Sequence, residues 1–218
     1  MHTVTIQGQS QEVPVGKIVC VARNYAEHAR ELGNPVPDQA VLFIKPASSI
    51  IPSGGTVVIP AYSADCHHEI ELAVLIGRTG RQLDETEALS YVSGYGVALD
   101  LTLRDVQAGQ KARGLPWEIA KAFDTSCPLS AFVAAGQVPD PQKLSLRLSV
   151  NGEVRQEGTS ADMLRPVARL ISEASRYFTL EAGDILLTGT PSGVGPIKSG
   201  DKVEAVIEGV GTLSVDVR

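Results

Sequence analysis

Two carboxylates stand at the mouth of an apolar run. In Cys66-His67-His68-Glu69-Ile70-Glu71-Leu72-Ala73-Val74-Leu75-Ile76-Gly77, residues 70–76 are almost continuously aliphatic, and Gly77 closes the run. Such a segment reads as a strand covered on both faces. Side chains alternate along a strand, so Glu69 and Glu71 share a face, with Cα atoms roughly 7 Å apart. Two acids side by side at a core strand repel each other and lose hydration, and a divalent cation relieves both problems. A solvated strand end with two surface acids is the alternative, and a third acid has to decide. Gly94-Tyr95-Gly96-Val97-Ala98-Leu99-Asp100 supplies one at the end of a second core-type strand. Glu69, Glu71 and Asp100 would leave several positions on Mg²⁺ or Mn²⁺ open to water and substrate. Asp100 could instead cap the helix that follows it.

A second constellation lies near the N-terminus. Tyr25–Leu32 reads as a short helix, with Asn24 as its N-cap, Gly33 just past its end and Pro35 as a stop. His28 and Glu31 are three apart and therefore neighbours on it, which is the arrangement of an imidazole general base held by a carboxylate. A surface pair on a polar helix is the plainer reading. Lys121 sits among small and apolar residues in Ala120-Lys121-Ala122-Phe123, a setting in which an ammonium is partly desolvated. Arg104 and Gln107 lie three apart near the start of a helix from Thr102 to about Arg113, which carries a Thr-x-x-Asp variant of the capping box. The loop Gly189-Thr190-Pro191-Ser192-Gly193-Val194-Gly195-Pro196 could offer backbone N–H groups and the Thr190 hydroxyl to a carboxylate. It lacks the Lys-Ser/Thr of a phosphate-binding P-loop, which argues against a nucleotide.

The elements that must position these groups are mostly short strands. Residues 1–16 read as an N-terminal ribbon and 17–218 as one domain. Strands are expected at 17–22, 41–45, 56–59, 70–76, 94–102, 184–188, 203–207 and 213–217, with a modest helix over 84–92. Lys143–Val150 and Glu153–Gln156 flank Asn151-Gly152 as a hairpin. An amphipathic helix from Pro166 to about Tyr177 presents Val167, Leu170, Ile171 and Ala174 to the core. A chain of 218 residues with net charge −6 can bury one core and repels nucleic acid and anionic membranes. No apolar run approaches the about 20 residues that span a bilayer, and the first residues lack the regions of a secretion signal. Three widely spaced cysteines, Cys20, Cys66 and Cys127, suit buried thiols in a reducing compartment. The cytoplasm is the expected location.

Six blocks in order carry a resemblance: Arg23-Asn24-Tyr25-Ala26-x-His28, Val41-Leu42-Phe43-x-Lys45-Pro46, His68-Glu69-x-Glu71-Leu72, Asp100-x-Thr102-x-Arg104-Asp105, Trp117-x-x-Ala120-Lys121 and Leu187-Thr188-Gly189-Thr190-Pro191-x-Gly193-Val194-Gly195. Over residues 17–218 the chain resembles the fumarylacetoacetate hydrolase family, and most of all its short members related to acylpyruvases and oxaloacetate decarboxylase/tautomerases. The 16 residues before Lys17 do not match the extra N-terminal domain of fumarylacetoacetate hydrolase proper, so fumarylacetoacetate is not the expected substrate. The resemblance implies an α+β fold, a β-rich mixed-sheet roll with a few short helices, usually as a homodimer. It implies Mg²⁺ or Mn²⁺ on Glu69, Glu71 and Asp100, a His28–Glu31 dyad that activates water or moves a proton, and Lys121 beside it. Arg23, Gln107, Lys121 and Thr190 would hold the substrate's oxygens, with Arg104 either joining them or serving the structure. The implied chemistry is hydrolytic C–C cleavage, decarboxylation or keto–enol tautomerisation of a small 2-keto acid through an enolate. A 5-carboxymethyl-2-hydroxymuconate isomerase or decarboxylase is the alternative enzyme, and a non-catalytic metal-binding β-scaffold the remote one.

Overall fold

The computed structural model describes residues 2–33 and 35–218. Its centre is the strand Ile70–Ile76, in which all seven residues are buried. It runs antiparallel to Val92–Leu99 on one side and to Ile185–Leu187 on the other. Among the described residues the sheet continues from Ile185–Leu187 to Lys17–Ala22 (parallel) and Val41–Pro46, and from Val92–Leu99 to Cys127–Leu129 and Ile50–Pro52. The short strand Val133–Ala134 also pairs with Val92–Leu99.

Alternation along the central strand explains why it is apolar at every position but Glu71. Ile70, Leu72, Val74 and Ile76 enter a large core shared with a second, five-stranded sheet and with the helix Val167–Tyr177. Ala73 and Leu75 enter a smaller core on the opposite face with Ile18, Cys20, Ala98, Phe132 and Leu187. A strand lined by two cores has no wet face. Glu71 belongs to the side of Ala73 and Leu75, so it is a carboxylate pointed into a core.

The second sheet contains the hairpin Ser145–Val150 and Glu153–Thr159, followed by Lys202–Ile207, Gly211–Val217 and Thr56–Val57. Its turn is Asn151-Gly152 with both residues at positive φ (52° and 81°), the conformation that a two-residue hairpin demands. The N-terminal hairpin pairs Thr3–Thr5 with Glu12–Pro14, and Val4, Ile6 and Val15 join the smaller core. Val167, Leu170, Ile171 and Ala174 are buried on their helix, as the helical periodicity requires. The three cysteines are free and buried. Among the described residues no helix is long and apolar enough to cross a membrane.

Several local expectations fail. Residues 84–92 form no α-helix: a 3-10 turn, Ala88–Tyr91, leads directly into the strand at Val92. Pairing of that apolar strand with Ile70–Ile76 outweighs the weak helix propensity before it. The strand expected at 56–59 is only Thr56–Val57. Pro166 occupies the N-cap, not the first helical position. Neither cap read from the sequence forms: Tyr25 is the N-cap of α1 (Ala26–Glu31) and Leu103 that of α2 (Arg104–Ala112), each without a side-chain cap bond. The Asn24 and Thr102 side chains are engaged elsewhere, as described below. The family fold itself, a curled mixed sheet with few short helices, is present.

Candidate active site

Register assembles the acids. Ile70 pairs with Leu99 and Glu71 with Ala98, which places Glu69 opposite Asp100. The Asp100 N–H donates to the Glu69 carbonyl at 2.9 Å. Glu71 therefore faces a small residue across the ladder, with Asp100 and Glu69 at the next position. One oxygen from each of the three carboxylates lies within 4.8 Å of the others, and all three residues are buried.

Three cations are set against them. Lys121, at the end of α3 (Glu118–Lys121), donates to Glu69 Oε2 at 3.0 Å and to Asp100 Oδ2 at 2.6 Å. Arg104 at the start of α2 contacts Glu69 Oε1 and donates to Gln107 Oε1 at 3.1 Å. Lys45 is fully buried, and its ammonium lies 2.9 Å from Asp100 Oδ1. The same ammonium donates to the carbonyls of Leu101 (3.3 Å), Ser126 (3.1 Å) and Lys121, and to Ser126 Oγ. Thr102 spends its hydroxyl on Glu69 Oε1 at 3.1 Å instead of capping α2.

The electrostatic balance differs among the acids. Burial alone would raise Glu69, but Lys121, Arg104 and His28 hold it well below the usual carboxylate range. Glu71 goes the other way: burial raises it, and the charges of Asp100 and Glu69 raise it further. Its direct polar partner is the Gly189 N–H, which donates to Oε2 at 2.6 Å. That approach depends on Gly189, whose φ is +90° and whose added Cβ would stand 2.8 Å from Cβ of Asn24. Lys121 stays charged because Asp100 and Glu69 outweigh its burial.

Helix α1 brings the dyad to the same place. Asn24 anchors its start: Nδ2 donates to the carbonyls of Arg165 (3.0 Å) and Thr188 (2.9 Å), and Oδ1 accepts from the Arg165 N–H (2.9 Å). Arg23 makes the turn before it at φ +60°, the left-handed region that most side chains avoid. His28 is 6% exposed, and its Nδ1 lies 3.4 Å from Glu31 Oε2. Burial lowers the His28 imidazole below its ordinary value, against the opposing pull of Glu69 and Glu31. Glu31 is in turn held by the Gly193 N–H at 3.1 Å.

One cavity collects nearly every residue singled out from the sequence. Arg23, His28, Glu69, Glu71, Asp100, Gln107, Lys121 and Thr190 line it, together with Arg104. Glu31 stands behind His28. Sequence reasoning missed Lys111 and left Trp117 without a role, yet both line the cavity. The Lys111 ammonium lies 5.2 Å from the centre of the Trp117 ring, and Lys121 lies 5.0 Å from that of Phe43. Lys45 and Gln156 were also missed as functional groups. A lysine ending the apolar strand 41–45 was a usable signal for the first; a glutamine in a polar hairpin strand offered none for the second.

The donor set fits a hard divalent cation. It consists of carboxylate oxygens alone, one from each of three buried acids, all within 4.8 Å of one another. The raised Glu71 carboxyl is the second sign, since a cation relieves the repulsion that raises it.

Known proteins share this sequence and fold. The family described as fumarylacetoacetate (FAA) hydrolase C-terminal matches residues 17–218. The oxaloacetate tautomerase of Escherichia coli (strain K12) is 53% identical over 204 residues, covering 93% of each chain. The mitochondrial oxaloacetate tautomerase of Homo sapiens is 50% identical over 200 residues, 92% of this chain and 90% of its own. Among solved structures, fumarylpyruvate hydrolase from Pseudomonas aeruginosa in complex with Mn²⁺ and pyruvate superimposes with a TM-score of 0.95 at 40% identity, over 99% of this chain and 94% of the other. A family match that runs from residue 17 to 218, with relatives about half identical over nine tenths of the chain, shows that this chain belongs to the fumarylacetoacetate hydrolase family.

Proposed function

We propose that this protein is a divalent-metal-dependent enzyme that interconverts the keto and enol forms of a short 2-keto dicarboxylate, oxaloacetate foremost. The observation that carries this reading is the convergence of Glu69, Glu71, Asp100, Lys121 and His28 on one buried cavity. The relatives that share about half its residues and are named oxaloacetate tautomerase support the choice of substrate.

Glu69, Glu71 and Asp100 would hold Mg²⁺ or Mn²⁺. A bound ion supplies Lewis acidity and a fixed positive charge toward a keto acid. The chain's own groups do the rest. With Nδ1 directed at Glu31, His28 presents Nε2 as the neutral base that takes a proton from the carbon next to the keto group. Glu31 orients the ring and stabilises the imidazolium that results. Lys121 and Thr190 face the oxygen that gains negative charge, and Arg23 and Gln107 bind the substrate's carboxylates. Arg104 acts indirectly, by holding Glu69.

A second reading is hydrolysis of a fumarylpyruvate-type acylpyruvate, in which His28 activates water instead; the likeness to the Pseudomonas aeruginosa hydrolase favours it. A 5-carboxymethyl-2-hydroxymuconate delta-isomerase from Mycobacterium smegmatis is also similar, at 39% identity and a TM-score of 0.84. One kinetic panel separates them: enol-oxaloacetate, keto-oxaloacetate, acetylpyruvate, fumarylpyruvate and a carboxymethyl-hydroxymuconate, each with Mg²⁺, Mn²⁺ or EDTA. Metal-dependent decay of the enol absorbance, faster than loss of any other substrate, is the expected result. No metal-dependent turnover of any of the five would sink the reading.

The proposal extends to a cytoplasmic homodimer whose catalytic domain spans residues 17–218, with the N-terminal hairpin as an appendage. Free buried thiols support the compartment. Tyr62 and Ile119, 59% and 53% exposed and linked by a Tyr62 hydroxyl bond to the Ile119 carbonyl, supply apolar surface for a partner copy. Light scattering on the purified protein reads the assembly directly.

A further inference from the structure

Gln156 comes from the hairpin strand Glu153–Thr159 of the five-stranded sheet, yet its side chain is fully buried against the active-site strand. Its amide touches four groups. Oε1 accepts from the Ile70 N–H at 3.1 Å and lies 2.9 Å from His68 Nδ1. Nε2 donates to the Pro191 carbonyl at 2.9 Å and lies 2.9 Å from Thr190 Oγ1. Two of these partners leave no freedom: a backbone N–H can only donate and a backbone carbonyl can only accept. Rotating the amide by half a turn would set N–H against N–H and oxygen against oxygen. The amide orientation is therefore locked by backbone at both ends.

That lock has a consequence for Thr190. Gln156 Nε2 carries hydrogens toward Oγ1, so the threonine oxygen accepts this bond and its own proton must point elsewhere. Among the described residues that proton has no acceptor, and Thr190, 2% exposed, lines the cavity of the carboxylate triad. A buried hydroxyl that already accepts one bond from a fixed amide and keeps its proton free is turned toward donating into the cavity.

We infer that Gln156 is a positioning residue that turns the Thr190 hydroxyl proton away from itself, so that Thr190 donates to an anionic substrate oxygen in the cavity. The same amide holds the Ile70 N–H, between Glu69 and Glu71, and so ties the metal-ligand strand to the substrate loop. The inference rests on the keto-acid reading for the identity of the anion, not for the direction of the hydroxyl.

The direction is read without any ligand by neutron diffraction of the deuterium-exchanged protein. The expected deuteron on Thr190 Oγ1 points away from Gln156 and into the cavity. A deuteron on that oxygen lying between the two residues overturns the inference. The energetic arm measures oxalate affinity for Mn²⁺-loaded protein by calorimetry. Thr190→Val weakens oxalate roughly ten- to hundredfold, as loss of a hydrogen bond to a charged group does, whereas Thr190→Ser restores most of it. Gln156→Glu, whose carboxylate accepts the Thr190 proton, weakens oxalate to a similar degree, and adding Thr190→Val to it changes little further. Effects that multiply in the double variant, or Gln156→Glu with unchanged oxalate affinity, refute the positioning role. If native protein binds no oxalate the keto-acid reading fails, while the neutron map still decides the polarity.

Discussion

The conflict at Glu71 makes a prediction that can be worked through quantitatively. Burial, Asp100 and Glu69 together raise this carboxyl well above its ordinary value, and Lys121 and the Gly189 N–H offset this only in part. Ion-free protein therefore carries Glu71 protonated below that raised value. A divalent cation bound by the triad reverses the preference, and the carboxyl loses its proton as the ion enters. One group changing state means about one proton released per ion. Affinity then rises tenfold per pH unit, about 1.4 kcal/mol, up to the raised pKa, where release falls to zero. Stability follows the same linkage. An acid whose folded pKa is raised contributes stability below its unfolded value near 4.5 and loses it as pH rises through the folded value. The gain in melting temperature on adding Mn²⁺ to EDTA-treated protein thus grows with pH across this range. Calorimetric titration of Mn²⁺ in buffers of differing ionisation enthalpy counts the protons directly. Glu71→Gln should bind the ion more weakly and release none. Native protein whose Mn²⁺ affinity does not change with pH and that releases no proton on binding at any pH, or equal release from Glu71→Gln, would refute the assignment of Glu71 as the protonated ligand.

Two further outcomes are expected. Lys45→Met leaves Asp100 Oδ1 buried without its cation and strips a donor from three carbonyls, so urea unfolding should show a loss of about 3–5 kcal/mol; a change under about 1 kcal/mol would mean that the site collapses around the gap. Because burial lowers His28 while Glu31 raises it, the acid limb of kcat/KM should lie below the ordinary histidine value, with activity present when the ring is neutral. Glu31→Gln removes the raising partner and should move that limb to still lower pH while reducing the plateau; a limb that moves up, or stays put, argues against the dyad.

What could be read from the chain alone was whatever short-range geometry dictates. A period of two puts Glu69 and Glu71 on one face of any strand, and a helical spacing of three makes His28 and Glu31 neighbours. The run 70–76, apolar except for Glu71, demanded cover on both faces and received two cores. The resemblance carried by six motif blocks then placed those pieces in one family and one site. Tertiary structure alone decided everything that depends on register and long-range packing. Asp100 stands beside Glu69 because two buried strands slide until their apolar residues match, and a slip of one residue would turn every side chain to the other core. Asn24 and Thr102 looked like helix caps, yet partners far away in the sequence claimed Asn24, and the acid that register brings near claimed Thr102. Lys45 showed only as a charge ending an apolar strand, and Gln156 gave no local sign of its duty. Their role exists only where folding has removed water, since a buried ammonium or amide must satisfy every donor and acceptor with whatever groups the fold brings within reach.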